Sequence, residues 1–142
     1  MCCVLRASGP AFDVDAFLRT SDWKPCAVYH QGDKRYPRGE KRCDRSGFNL
    51  DIGDVEEDDL DKQIEQSIDF LRLNEEEITR LRHYPGLESM GLDFGVDFKD
   101  SPIQSYRFPA VLVGLAGALG LELEVTLYPT SDSESDHVTT PT

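Results

Sequence analysis

Basic residues are scarce in this sequence. The 142-residue chain carries 15 lysines and arginines against 27 aspartates and glutamates, which leaves a formal net charge of −12 at neutral pH. Nucleic acid and anionic lipid would both repel such a chain, so general affinity for either is not expected. Two interpretations stay open: the acidic surplus keeps the protein soluble, or it attracts a basic protein partner.

Long hydrophobic runs are also missing. The first residues, MCCVLRASG, lack the basic segment and the extended apolar segment of a secretory signal. The longest apolar stretch, residues 108–121, is interrupted by Pro109 and three glycines. It is shorter than the about 20 residues that a helix needs to span a bilayer. We therefore expect a soluble, cytoplasmic protein with no membrane partner.

The four cysteines form no CxxC pair and no repeated spacing; they are Cys2, Cys3, Cys26 and Cys43. A cytosolic chain keeps such thiols reduced. Two of them could join His30 in a metal site, but zinc modules normally show two closely spaced ligand pairs. We expect free thiols, no metal and no cofactor.

Catalytic motifs are absent as well. No glycine-rich phosphate loop and no GxSxG nucleophile motif occurs, and of the three histidines His137 lies close to the last residue. An enzyme would have to use His30 or His83 as a base and a cysteine as nucleophile, which requires a lowered thiol pKa. His83 better fits the end of a helix. We predict no catalytic residue.

Hydrophobic periodicity is the strongest signal that is present. Apolar residues alternate with polar ones over residues 48–52, 90–98 and 121–127, and strand-forming residues occupy 2–7 and 26–30. Helical spacing appears from Val14 to Leu18, over 60–81 and over 108–119.

The order β-α-β-β-α-β-α-β predicts an α+β two-layer sandwich, a ferredoxin-like variant with a mainly antiparallel sheet and helices on one face. We expect one domain over residues 1–128 and a disordered acidic Ser/Thr tail over 129–142.

Two details of the helices are predicted from single residues. Asn74 followed by Glu77 resembles a capping box, so we expect the second long helix to break near Asn74. Gly114 and Gly117 interrupt the last helix. We expect them to let this helix approach the sheet closely, at a cost of about 1 kcal/mol each relative to alanine.

The most unusual feature is an acidic segment, DIGDVEEDDLD, at residues 51–61. It contains seven acids and no base: Asp51, Asp54, Glu56, Glu57, Asp58, Asp59 and Asp61. Asp58 or Asp59 can cap the following helix, and carboxylates at a helix start are stabilised by the helix dipole. Either the segment is a solvated helix start, or its surplus charge forms a docking surface for a basic partner.

A basic loop at residues 34–45 precedes the acidic segment and holds six lysines or arginines against two acids. It could neutralise the acidic segment within the molecule, or it could form a separate phosphate-binding patch. We favour internal pairing.

Four stretches resemble a known family: LRASGPAFDVDAFL near the start, the turn HQGD, the helix LDKQIEQSIDFL and the ending LAGALGLELEVTLYP. Together they resemble a family of small bacterial proteins described only as a domain of unknown function, over about residues 1–128. The resemblance implies no active site. In size and character such proteins are similar to the immunity proteins that accompany bacterial toxins.

These observations favour a non-enzymatic acidic binding protein, immunity-like or inhibitor-like, whose acidic segment covers a basic partner. The alternative is a small-ligand or regulatory module with a pocket between sheet and helices. Trp23, His30 and the basic loop would then line that pocket.

Overall fold

The computed structural model describes residues 2–54 and 59–129. The elements follow the predicted order, with the long helix divided in two at Asn74. They are β1 (Cys3–Gly9), α1 (Val14–Arg19), β2 (Ala27–Tyr29), β3 (Ser46–Ile52), α2 (Leu60–Leu73), α3 (Glu75–Arg82), β4 (Ser89–Phe98), α4 (Ala110–Leu119) and β5 (Glu122–Pro129).

The five strands form one sheet in the order β2-β3-β1-β4-β5. Three of the four neighbouring pairs are antiparallel, and only β4 with β5 is parallel. A parallel pair needs a crossover, which α4 supplies. The second and third strands pair with each other on either side of the basic loop. The predicted two-layer α+β arrangement with a mainly antiparallel sheet is confirmed.

One hydrophobic core lies between the sheet and the helices. Alternate residues of β1, from Cys3 through Leu5 to Ala7, are buried, which is the pattern of a strand with one face against a core. Leu92 and Phe94 of β4 join them, and all four described helices contribute residues to the same cluster. The opposite face of the sheet therefore has no described helix on it, and we call it the uncovered face.

The inner edge of β4 continues beyond the start of β1 with a side chain as its partner. The amide of Gln63, fully buried on α2, donates to the carbonyl of Gly95 at 2.8 Å and accepts from its N–H at 3.2 Å. A buried backbone group without a partner is costly. Gln63 thus completes the ladder of β4 beyond the start of β1.

The break of the long helix near Asn74 is confirmed, but the capping box and the close approach of α4 to the sheet are wrong. A methyl group built on Gly114 or Gly117 meets nothing within 4 Å, so these glycines face open space and not the sheet. Asn74 precedes α3 but makes no side-chain cap. Its Oδ1 accepts from the indole of Trp23 at 3.2 Å instead, and Glu77 binds Arg80 and Ser21.

Strand β5 reaches Pro129, which is paired with Phe98, one residue beyond the expected domain boundary. The remainder of the predicted tail, from residue 130, lies outside the described residues. Among the helices that are described, none has the length and apolar character needed to cross a membrane.

Candidate functional site

The structure divides the acidic segment between two places. Asp51 lies on β3, opposite Val4 of β1, and its side chain shares the uncovered face. Asp59 and Asp61 lie at the start of α2, in the helical layer. Asp54 lies between them and is exposed. The other three predicted docking residues, Glu56, Glu57 and Asp58, fall outside the described part of the chain.

Two of these acids have local partners. The carboxylate of Asp59 accepts from the backbone N–H of Lys62 at 3.0 Å, which confirms it as the cap of α2. Asp51 accepts from the thiol of Cys26 at 3.4 Å. Asp54 and Asp61 are exposed, and within the described residues no base lies in ion-pair distance of either. Their charge is available to a partner.

The basic loop extends the β2–β3 hairpin. Lys34 and Arg42 form an isolated antiparallel bridge, and the backbone N–H of Arg35 donates to the carbonyl of Lys41 at 2.9 Å. Our preferred interpretation, that this loop pairs with the acidic segment, is wrong for the described residues: none of the ion pairs within 4.0 Å joins the two. The loop lies instead beside the uncovered face.

Between the basic loop and the uncovered face lies a cleft of about 490 Å³, which we call the basic cleft. Its lining has five basic side chains and a single acid, Asp44. The basic residues are Arg6, Lys34, Arg35, Arg42 and Arg45, and Tyr29, Cys43 and Asn49 complete the lining. A positive cleft of this kind is unexpected in a chain with a net charge of −12.

Two of these arginines are held by acids on the sheet. Arg6 donates through Nη2 and Nε to Asp93, at 2.9 and 3.1 Å, and Thr126 donates to the second carboxylate oxygen at 2.7 Å. Arg45 donates to the hydroxyl of Ser8 at 2.9 Å and to Glu88 at 3.2 Å. These contacts fix one wall of the basic cleft.

The side chain of Tyr29 lies beside Gly47 of the neighbouring strand, β3. A methyl group built on Gly47 would come within 2.6 Å of the Tyr29 hydroxyl and 2.3 Å of the Ala7 carbonyl. Real Cβ atoms do not approach so closely, so Gly47 is what permits this ring position. The aromatic wall of the basic cleft therefore depends on a residue without a side chain.

The other two residues proposed for a small-ligand pocket lie elsewhere. Trp23 packs between Phe17 and Phe70 in the core layer, with ring centroids 6.1 and 5.8 Å away. The imidazole Nε2 of His30 lies 2.9 Å from the carboxylate of Asp15. Of the predicted pocket residues, the basic loop lines a cleft, and that cleft opens on the uncovered face.

The surroundings of three cysteines, Cys2, Cys3 and Cys26, disfavour the reactive thiolate form. All four are free. Burial, with Asp51 adding to it, raises the pKa of the Cys2 thiol, and burial followed by the Asp51 hydrogen bond raises the pKa of Cys26. Burial raises the pKa of Cys3 further still. An attacking cysteine needs the opposite shift. Within the described ranges, no group of three potential metal ligands is found.

The sequence did not reveal Arg6 or Asp93 as parts of a site. Arg6 and Asp93 are 87 residues apart, and nothing in either stretch indicates that β1 and β4 are neighbours. The basic loop was the one usable signal. Its composition showed the charge but not the surface to which the charge belongs.

Comparison with known proteins gives one match. A family model described as a domain of unknown function, DUF4279, matches residues 1–130. No curated protein matches, and no solved structure matches. The matched region includes every helix and strand described above, so the acidic segment and the basic cleft both lie within it.

Proposed function

This chain belongs to the DUF4279 family, a domain of unknown function, and we propose that it is a non-enzymatic binding protein whose acidic segment docks on a basic protein surface. The proposed partner is a cationic protein in the cytoplasm. Covering the basic substrate site of a toxin or a similar enzyme would make the domain immunity-like or inhibitor-like.

The observation that carries this proposal is the separation of the acidic segment from the basic loop. Because the described acids of the segment make no ion pair with that loop, their charge is not cancelled inside the molecule. Capping of α2 uses Asp59 alone among them. Asp54 and Asp61 remain exposed, and the segment contains three further acids in sequence.

Concentrated negative charge has a known use in association. Oppositely charged patches steer two proteins together and raise the association rate, and this effect falls as salt increases. The raised thiol pKa values of Cys2, Cys3 and Cys26 weigh against these three residues as the nucleophile of the competing catalytic hypothesis.

The test compares two variants that remove the same charge. D54N/E56Q/E57Q/D58N neutralises four acids of the segment and leaves the Asp59 cap intact. The matched control E65Q/D69N/E75Q/E76Q neutralises four acids on α2 and α3. Both variants and the wild type serve as baits for affinity capture from the native cell, and association rates of the captured protein are then measured at low and high salt.

We expect the wild type and the control to retain one basic protein that the segment variant loses. The rate difference should shrink at 1 M salt, where the screening length is about 3 Å. Capture of the same protein by both variants at equal rates would overturn the proposal. Capture by neither variant would show that total charge matters and would overturn it equally.

A further inference from the structure

The basic cleft has more positive charge than its own contacts require. Arg6 is engaged with Asp93, and Arg45 is engaged with Glu88. Lys34, Arg35 and Arg42 are exposed and line the same cleft, and no acid among the described residues lies within 4.0 Å of their charged groups. Three cations thus converge on one cleft without an ionic partner.

Such an arrangement is unfavourable without a ligand, because like charges repel and a concave wall concentrates their field. One wall of the basic cleft nevertheless has specific contacts. Arg45 is anchored to both β1 and the start of β4, and Gly47 leaves room for the Tyr29 ring. These contacts fix Arg45 and Tyr29 on the sheet, and the bridge between Lys34 and Arg42 orders the loop that carries the other cations.

We propose that the basic cleft binds a small molecule that carries a phosphate group. A phosphate monoester has a charge of roughly −1.5 to −2 at neutral pH and three acceptor oxygens, so it can engage several cations at once. Guanidinium groups match phosphate oxygens in pairs, and Arg35 and Arg42 both carry one. A carboxylate has a single charge and satisfies fewer of them.

The size of the cleft and the charge of the whole chain favour a small ligand. Its volume of about 490 Å³ falls within the roughly 300–1,000 Å³ that is usual for small-molecule sites. A long polyanion such as nucleic acid would extend beyond the cleft and meet the acidic remainder of a chain of net charge −12. The hydroxyl of Tyr29 and the amide of Asn49 supply neutral hydrogen-bonding groups beside the cations.

Two probes that differ in their anionic group test this proposal. Phenyl phosphate and benzoate are titrated into the full chain by calorimetry, and backbone amide shifts locate the site. We expect phenyl phosphate to shift the amides of the basic loop and to bind at least about tenfold more tightly than benzoate. Equal affinities for the two probes, or shifts confined to other surfaces, would overturn the proposal.

Variants that remove positive charge distinguish binding in the basic cleft from general attraction between the probe and the protein. K34Q/R35Q removes two unpaired cations of the cleft, whereas K62Q/R72Q removes two exposed cations of α2. The first should weaken phenyl phosphate binding at least about tenfold, and the second should leave it unchanged. If K34Q/R35Q fails to fold, R35Q alone provides the comparison with R72Q. An equal loss of phenyl phosphate affinity in the cleft variant and in its control would contradict the proposed site.

Discussion

Arg6 and Asp93 form an ion pair across the uncovered face, with Nη2 of the arginine 2.9 Å from the carboxylate. The arginine side chain is 42% exposed, whereas that of Asp93 is only 5% exposed. The two residues therefore contribute differently to stability. Asp93 is a buried charge that needs its partners, and Arg6 is the partner that also lines the basic cleft.

Removing the arginine should destabilise the fold more than removing both charges. R6Q leaves the Asp93 carboxylate with Thr126 as its remaining side-chain partner, and we expect a loss of about 1–3 kcal/mol because hydrogen bonds to a buried charge are lost. R6Q/D93N should be more stable than R6Q, since no buried charge is left unpaired. Urea unfolding of the wild type, the single variants R6Q and D93N and the double variant gives the coupling energy between the two residues. Strictly additive losses of stability would contradict this account.

The glycines of α4 provide a stabilising prediction. Because a methyl group at Gly114 or Gly117 meets no neighbour, alanine at each site should stabilise the protein by about 0.5–1 kcal/mol through helix propensity. G120A is the matched control. Gly120 caps α4 with φ at 81°, a left-handed conformation that alanine adopts with strain, so this variant should lower the melting temperature. Destabilisation by G114A/G117A would show that α4 packs differently.

The thiol of Cys26 is exposed, but we expect it to react more slowly than an exposed thiol with an ordinary pKa. Burial and then the hydrogen bond to Asp51 raise its pKa, so little thiolate is present at neutral pH. D51N removes the second cause, and we expect alkylation of Cys26 by iodoacetamide to become faster, because a lower thiol pKa leaves more thiolate at neutral pH. Peptide mass spectrometry resolves Cys26 from Cys43, which serves as the internal reference. An unchanged rate at Cys26 would exclude Asp51 as a cause.

Local patterns predicted the elements well where their cause is local. The alternation from Met90 to Phe98 gives β4, because a strand with one face in the core has period two. Asp59 caps α2 because its carboxylate lies directly beside the free N–H groups of that helix. Both results need only a short stretch of chain. The expected order of elements and the two-layer fold follow from adding such stretches together.

Features that depend on distant parts of the chain could not be predicted in this way. Asn74 and Glu77 have the spacing of a capping box, yet the asparagine oxygen accepts a hydrogen bond from the indole of Trp23, 51 residues away. Gln63 bonds to Gly95 because the pairing of β1 with β4 begins only at Val4, opposite Asp93, and the sequence of α2 does not show this. The basic cleft likewise depends on strand order, which brings the loop beside Arg6. Tertiary contacts determine these three features, so the local sequence pattern could not predict them.

The contact between His30 and Asp15 provides a prediction of pH dependence. The hydrogen bond that the imidazole donates to the Asp15 carboxylate is the main cause that raises the pKa of His30 above its ordinary value of 6.5, and Asp33 adds to it. D15N removes the main cause, so the midpoint of the His30 titration should move to lower pH. Proton NMR of the imidazole gives this midpoint, and D69N on α2 is the control that removes a similar charge elsewhere.

The sign of the stability effect follows from the direction of this shift. A histidine whose folded pKa is raised stabilises the protein fully below its unfolded pKa, near 6.5, and the contribution is lost as pH rises through the folded pKa. Since both side chains are about half exposed, solvent screening keeps the contribution small. The stability difference between the wild type and D15N should therefore be largest below about pH 6.5 and shrink as pH rises, because the protonated imidazole attracts Asp15 most strongly. A difference that grows with pH instead would show that the pair acts through the neutral imidazole.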